Sequence, residues 1–179
     1  EDEAPDRPKD PKSQLGDLYQ LGEHRLLCGD ATKKEDVERL MNGEKADMVF
    51  TDPPYGIELD TDTVKVLGRN AKSKKFDRII GDGVPFDPSC IFDHFGYCPE
   101  ILIWGADYFS DLIPNKNDGA WLVWDKRVTG HEDKKNYASE FELCWSKSHR
   151  ARRIFKHDWV RFFGMQQEDT RCREHPNQK

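Results

Sequence analysis

MVFTDPPYGIEL, residues 48–59, runs three apolar residues and a threonine into an acid, two prolines and a tyrosine. Its opening is a continuous apolar run of the kind that fits a strand buried on both faces. Pro53 and Pro54 each fix φ and lack an amide donor, so the strand must end in a stiff turn. In open α/β sheets, ligands bind beyond the carboxyl ends of strands, and Asp52 stands at such an end. One carboxylate, the Pro53 carbonyl and the Tyr55 ring are thereby held in a fixed mutual arrangement. That set suits a planar heterocycle bearing an exocyclic amine. Asp52 and the Pro53 carbonyl can each accept one N–H while Tyr55 stacks on the ring. Such an amine is a poor nucleophile because its lone pair is delocalised. Two acceptors drawing on its hydrogens favour a pyramidal nitrogen whose lone pair is free to attack.

Upstream, residues 25–28 read as a short apolar strand ended by Gly29 and Asp30. KKEDVERLMNG then places Val37, Leu40 and Met41 on one helical face, with Gly43 as a stop. With ADMVFT this makes strand, helix and strand joined by short turns, hence a βαβ unit in an α/β fold whose sheet is mostly parallel. Residues 58–88 are polar, with GRNAKSKK at their centre, and predict a long functional or disordered loop. Gly81-Asp82-Gly83 lacks a strong preceding strand and a following helix, so it reads as a loop turn. EILIWGADYF and GAWLVWDKR predict two further strands, with a short helix over DYFSDLIPN stopped by Pro114. FELCWS and RRIFKHDWV predict a late antiparallel hairpin.

Only 36% of the 179 residues are hydrophobic and 35% are charged, against roughly 45–50% and 25% in ordinary domains. The expected core is thin for the length. The net charge of -6 is unevenly spread. Acids outnumber Lys and Arg 17 to 8 over residues 1–63, whereas residues 147–173 carry eight basic residues against three acids. That asymmetry fits a polyanion held by one face. Lys72, Lys74 and Lys75, Lys126 and Arg127, and Arg150, Arg152, Arg153 and Lys156 are the candidate phosphate contacts. Trp104, Trp121 and Trp124 sit in strand patterns and belong to the core, while Trp145 and Trp159 lie near the basic segment. The five cysteines form no CxxC pair and no zinc-like spacing, so reduced thiols in a cytoplasmic protein are expected, with no metal. No apolar run approaches membrane-spanning length. Residues 1–13 are rich in Pro, Asp and Lys and predict a disordered tail, leaving residues 14–179 as one domain.

Asp52-Pro53-Pro54-Tyr55 resembles the catalytic motif of the amino-group DNA methyltransferases. GDLYQLGEHRLLCGDA followed by DMVFTDPPYGI is similar to the opening of the permuted β-type class, including prophage-borne and ParB-linked members. LIWGADYF, WLVWDKR, FELCWS and REHPNQK resemble, in order, later blocks of that class. The resemblance implies a partial Rossmann-like methyltransferase sheet and S-adenosylmethionine as cofactor. It implies methyl transfer to adenine N6 of a base flipped out of double-stranded DNA. Asp52 and the Pro53 carbonyl would bind the amine, with Tyr55 stacked on the base and Pro54 stiffening the corner. Asp30 would face the cofactor's adenine. His175, Pro176, Gln178 and Lys179, in a block resembling HPTQKP with Asn177 in place of threonine, would lie beside its methionine end together with Asp52. In the family order the glycine-rich cofactor loop follows that block, so the expected catalytic domain is incomplete. A homodimer or another chain segment would complete the cofactor site. Cytosine-N4 transfer and a non-catalytic DNA-binding remnant remain open alternatives. RNA or protein methylation is disfavoured, because those enzymes usually carry Asn at the first motif position.

Overall fold

The computed structural model describes residues 10–59, 78–127, 139–148 and 151–157. Two strands, β1 (Leu18–Leu21) and β2 (His24–Leu27), form an antiparallel ribbon closed by Gly22 and Glu23. Gly22 takes φ 64°, the left-handed conformation that a tight two-residue loop requires. The ribbon corrects the expected βαβ unit, since β2 pairs with β1 and not with the strand that leads to Asp52. Two short apolar runs flanking a Gly-X pair were the signal for it. Helix α1 (Lys34–Met41) follows, with Val37, Leu40 and Met41 partly buried as their spacing predicts. Glu35 and Asp36 in its first turn and Arg39 in its last complement the helix dipole. Asn42, at φ 49°, ends it one residue before Gly43.

Among the described residues five strands make the main sheet: β3 (Met48–Thr51), β4 (Glu100–Trp104), β5 (Ala120–Asp125), β6 (Phe141–Ser146) and β7 (Arg153–Lys156). Their order is β3-β4-β6-β5-β7. β3 pairs with β4 and β5 with β7 in parallel, while β6 runs antiparallel to both β4 and β5. The protein is therefore α/β with a mixed sheet, and the expectation of a mostly parallel one is corrected. The hairpin expected between β6 and β7 is also absent, because β6 uses both its edges on β4 and β5. Burial explains this choice. Cys144, Trp145 and Ser146 of β6 are all buried, as a central strand demands, whereas every residue of β7 is exposed.

One face of the sheet carries the core. Ile101, Ile103 and Trp145 pack against Ile91 of helix α2 (Ser89–Phe95) and against Ala106 and Phe109 of a 3-10 helix (Ala106–Leu112). The other face presents Phe50, Trp104, Trp124 and Phe155, with Trp104 in edge contact with each of the other three rings. Within β3 the pattern accordingly alternates. Val49 and Thr51 turn inward, while Met48 and Phe50 remain 54% and 63% exposed, so β3 is not buried on both faces. Trp145 lies in the core rather than on a surface that DNA could touch.

Candidate active site

Asp52, Pro53, Pro54 and Tyr55 leave the carboxyl end of β3 as an irregular corner, with Asp52 exposed and the other three partly buried. The Tyr55 hydroxyl donates to Asp52 Oδ1 at 2.6 Å. This orients the carboxylate and leaves Oδ2 without a hydrogen bond from the described residues. Tyr55 stacks on Tyr108, with ring centroids 4.9 Å apart and planes at 15°. Tyr108 is itself 53% exposed. Gly105 makes the approach possible, since a Cβ there would lie 2.0 Å from Tyr55 Cε1. Its φ of 64° suits glycine as well, and its N–H donates to the Leu143 carbonyl at 2.9 Å, joining the end of β4 to β6. Burial, and then the bond to Asp52, push the Tyr55 phenol well above its ordinary pKa. The nearby charge of Glu142 acts in the same direction.

The chain beyond the corner is held by an acid far away in sequence. Asp82, 4% exposed, accepts the amides of Gly56 (2.9 Å) and Ile57 (3.1 Å) on Oδ1 and of Leu59 (2.7 Å) on Oδ2. Its backbone carbonyl takes the remaining amide, that of Glu58, at 3.1 Å. The Leu59 amide first, then those of Ile57, Gly56 and Tyr55, hold the Asp82 carboxyl below the usual carboxylate range. Residues 80–83 are the turn expected from Gly-Asp-Gly, and Gly81 takes φ 88°.

Asp30 is exposed in the turn between β2 and α1, where its Oδ1 accepts the Thr32 amide (2.9 Å) and hydroxyl (2.7 Å). The Thr32 hydroxyl and amide lower its pKa. Arg152, Arg153 and Lys156 are exposed on or beside β7, the last strand of the sheet order. Arg127 forks onto Asp125 through Nε at 3.0 Å and Nη2 at 2.8 Å, and chiefly for that reason the Asp125 carboxyl falls to about 2. Lys126 corrects the expectation of a phosphate contact. It is 6% exposed, its Nζ lies 2.5 Å from Glu142 Oε1, and it sits over the Trp124 ring. An ammonium so enclosed is neutralised within the fold. His175, Pro176, Gln178, Lys179, Lys72, Lys74, Lys75 and Arg150 lie outside the described residues.

No protein-family model, curated protein or solved structure matches this chain. Its site is thus read from its own chemistry. Tyr108, Gly105, Asp82 and Glu142 are the site residues that sequence reasoning missed. A glycine before an aromatic-rich segment was a weak signal for Gly105, and nothing local marked Asp82 as a partner of residues 56–59. Cys28, Cys90, Cys98 and Cys144 are free thiols, and burial raises Cys144 to about 12, which keeps it from acting as a nucleophile. Among the described residues no helix is long and apolar enough to cross a membrane, and no group of His, Cys, Asp and Glu is placed to hold a metal.

Proposed function

We propose that the chain carries the catalytic part of a DNA methyltransferase that moves a methyl group from S-adenosylmethionine to adenine N6 of a flipped base. One observation carries the reading: an exposed carboxylate at the carboxyl end of a parallel strand, oriented by the hydroxyl of a tyrosine two prolines away. On this reading the main sheet is part of a Rossmann-like methyltransferase sheet, whose ligands belong at the end where Asp52 stands. DNA in the cytoplasm is the expected substrate.

S-adenosylmethionine would supply the methyl from its sulfonium, the S–C bond breaking to leave S-adenosylhomocysteine. Asp30 and Asp52 are exposed acceptors of the kind its amino and hydroxyl groups need, so the described residues fit it as far as they go. Asp52 Oδ2 would take one N–H of the target amine and the Pro53 carbonyl the other, which localises the nitrogen lone pair. The proton shed as the N–C bond forms has the Asp52 carboxylate beside it. Tyr55 offers the base an aromatic surface once Tyr108, which stacks on it, yields. Extruding the base costs a few kcal/mol. Arg152, Arg153 and Lys156 would offset part of that by neutralising phosphates.

The test is transfer of labelled methyl to unmodified duplex DNA, followed by nucleoside analysis. N6-methyladenine from the wild-type chain, lost in Asp52→Ala with DNA binding intact, is expected. Undiminished transfer by Asp52→Ala would overturn the catalytic assignment, and N4-methylcytosine would move the substrate to the other base. Calorimetric titration with S-adenosylmethionine should show binding that Asp30→Ala weakens.

A further inference from the structure

We propose that Asp82 is a positioning residue for the corner, fixing the backbone that leaves Tyr55 and through it the Asp52–Tyr55 pair. Its kinetic consequence rests on the methyl-transfer reading, whereas its geometric consequence does not. Pro53 and Pro54 have no amide hydrogens, so after Asp52 the only N–H the corner itself can be anchored by is that of Tyr55, which also acts on the Asp82 carboxylate. The first free amides beyond Tyr55, those of residues 56–59, provide that anchor, and all four go to Asp82.

The turn around Asp82 also meets the corner on both sides of Tyr55. A Cβ on Gly81 would lie 3.5 Å from Pro54 Cγ, which places the turn against the ring that precedes Tyr55. A Cβ on Gly56 would lie 2.5 Å from the Val84 carbonyl and 2.8 Å from Pro85 Cα, so the residue after Tyr55 is pressed on the same turn. Tyr55 is therefore held between two contacts with residues 81–85, and Asp82 is the polar centre of that grip. Its carboxylate is buried with backbone amides as its hydrogen-bond partners, and an ionised acceptor makes such bonds strong. Asparagine cannot replace it, because its NH2 would point hydrogens at an amide that needs an acceptor.

The experiment uses the full chain labelled with 3-fluorotyrosine, with the Tyr55 resonance assigned through Tyr55→Phe. In Asp82→Asn the Tyr55 resonance should move or split and the amides of residues 56–59 should lose exchange protection, while the β4 and β6 amides keep theirs. Asp87→Asn removes an exposed carboxylate that, among the described residues, accepts hydrogen bonds from Ser89 alone, and should leave Tyr55 unchanged. If Asp82→Asn does not fold, Gly56→Ala loosens the same grip from the other side and should shift the same resonance. In the transfer assay, kcat should fall on the order of 10²-fold, the cost of a reacting group displaced by about 1 Å, with KM for DNA changed less than about twofold. An unmoved Tyr55 resonance in both variants overturns the inference. A moved resonance in a protein whose wild type transfers no methyl supports the positioning role and overturns the methyl-transfer reading instead. A moved resonance with unchanged kcat overturns the link between the grip and catalysis.

Discussion

Gly105→Ala puts a methyl group into the tightest contact of the site. The added Cβ would lie 2.0, 2.4 and 2.5 Å from Cε1, Cζ and Cδ1 of Tyr55. Carbon atoms in contact sit about 3.5–4.0 Å apart, so the ring must retreat by about 1.5 Å. It cannot do so freely, since its hydroxyl is bonded to Asp52 and its face lies on Tyr108. Forcing a methyl into such a place costs about 1–3 kcal/mol. Alanine at φ 64° costs about 1–2 kcal/mol more from the backbone alone. Gly22→Ala is the matched control, because Gly22 has the same φ and nothing within 4 Å of its virtual Cβ. The difference between the two variants isolates the ring contact. At roughly 2–4 °C per kcal/mol for a chain of this size, Gly105→Ala should melt about 2–12 °C below Gly22→Ala. Thermal unfolding by circular dichroism measures this. In the transfer assay the displaced ring should lower kcat on the order of 10²-fold, with Gly22→Ala near wild type. Equal melting temperatures for the two variants would refute the packing of Tyr55 over Gly105, and with it the corner described here.

Lys126→Ala and Arg153→Ala should separate by their dependence on salt. Lys126→Ala leaves Glu142 without its cation and should destabilise the fold by about 1–2 kcal/mol, discounted from the cost of a fully buried pair because Glu142 is one-third exposed. The salt slope of DNA binding should stay unchanged, which fluorescence anisotropy at several ionic strengths measures. Arg153→Ala should leave stability nearly intact and reduce that slope by about 1. Acid should release the corner. The Asp82 carboxyl is held below its ordinary value, so its contribution is fully present above about pH 4 and is lost as pH falls through the depressed value. Exchange protection of residues 56–59 should fall in that window in the wild type and be already low at neutral pH in Asp82→Asn.

Periodicity and turn chemistry determined much of this protein. The helix over Val37, Leu40 and Met41, the strands ending at Thr51 and Trp104, the short helix before Pro114 and the turn at Gly81-Asp82-Gly83 all follow from residues within a few positions of one another. The DPPY corner was equally legible, because two prolines stop a strand wherever the chain then goes. Pairing was not. The order β3-β4-β6-β5-β7 depends on which strand can bury both its faces, and β6 wins the central place through Cys144, Trp145 and Ser146. Lys126 reads in sequence like any basic residue after a strand, and only the register that brings Glu142 beside Trp124 encloses it. Asp82 lies 26 positions from Gly56, and no local rule relates a turn carboxylate to amides so distant. The sequence alone determined the chemistry on offer, since a side chain carries its charge, ring or missing amide wherever it goes. Tertiary structure decided which groups meet, because burial and hydrogen-bond satisfaction are settled across strands and turns that are far apart along the chain.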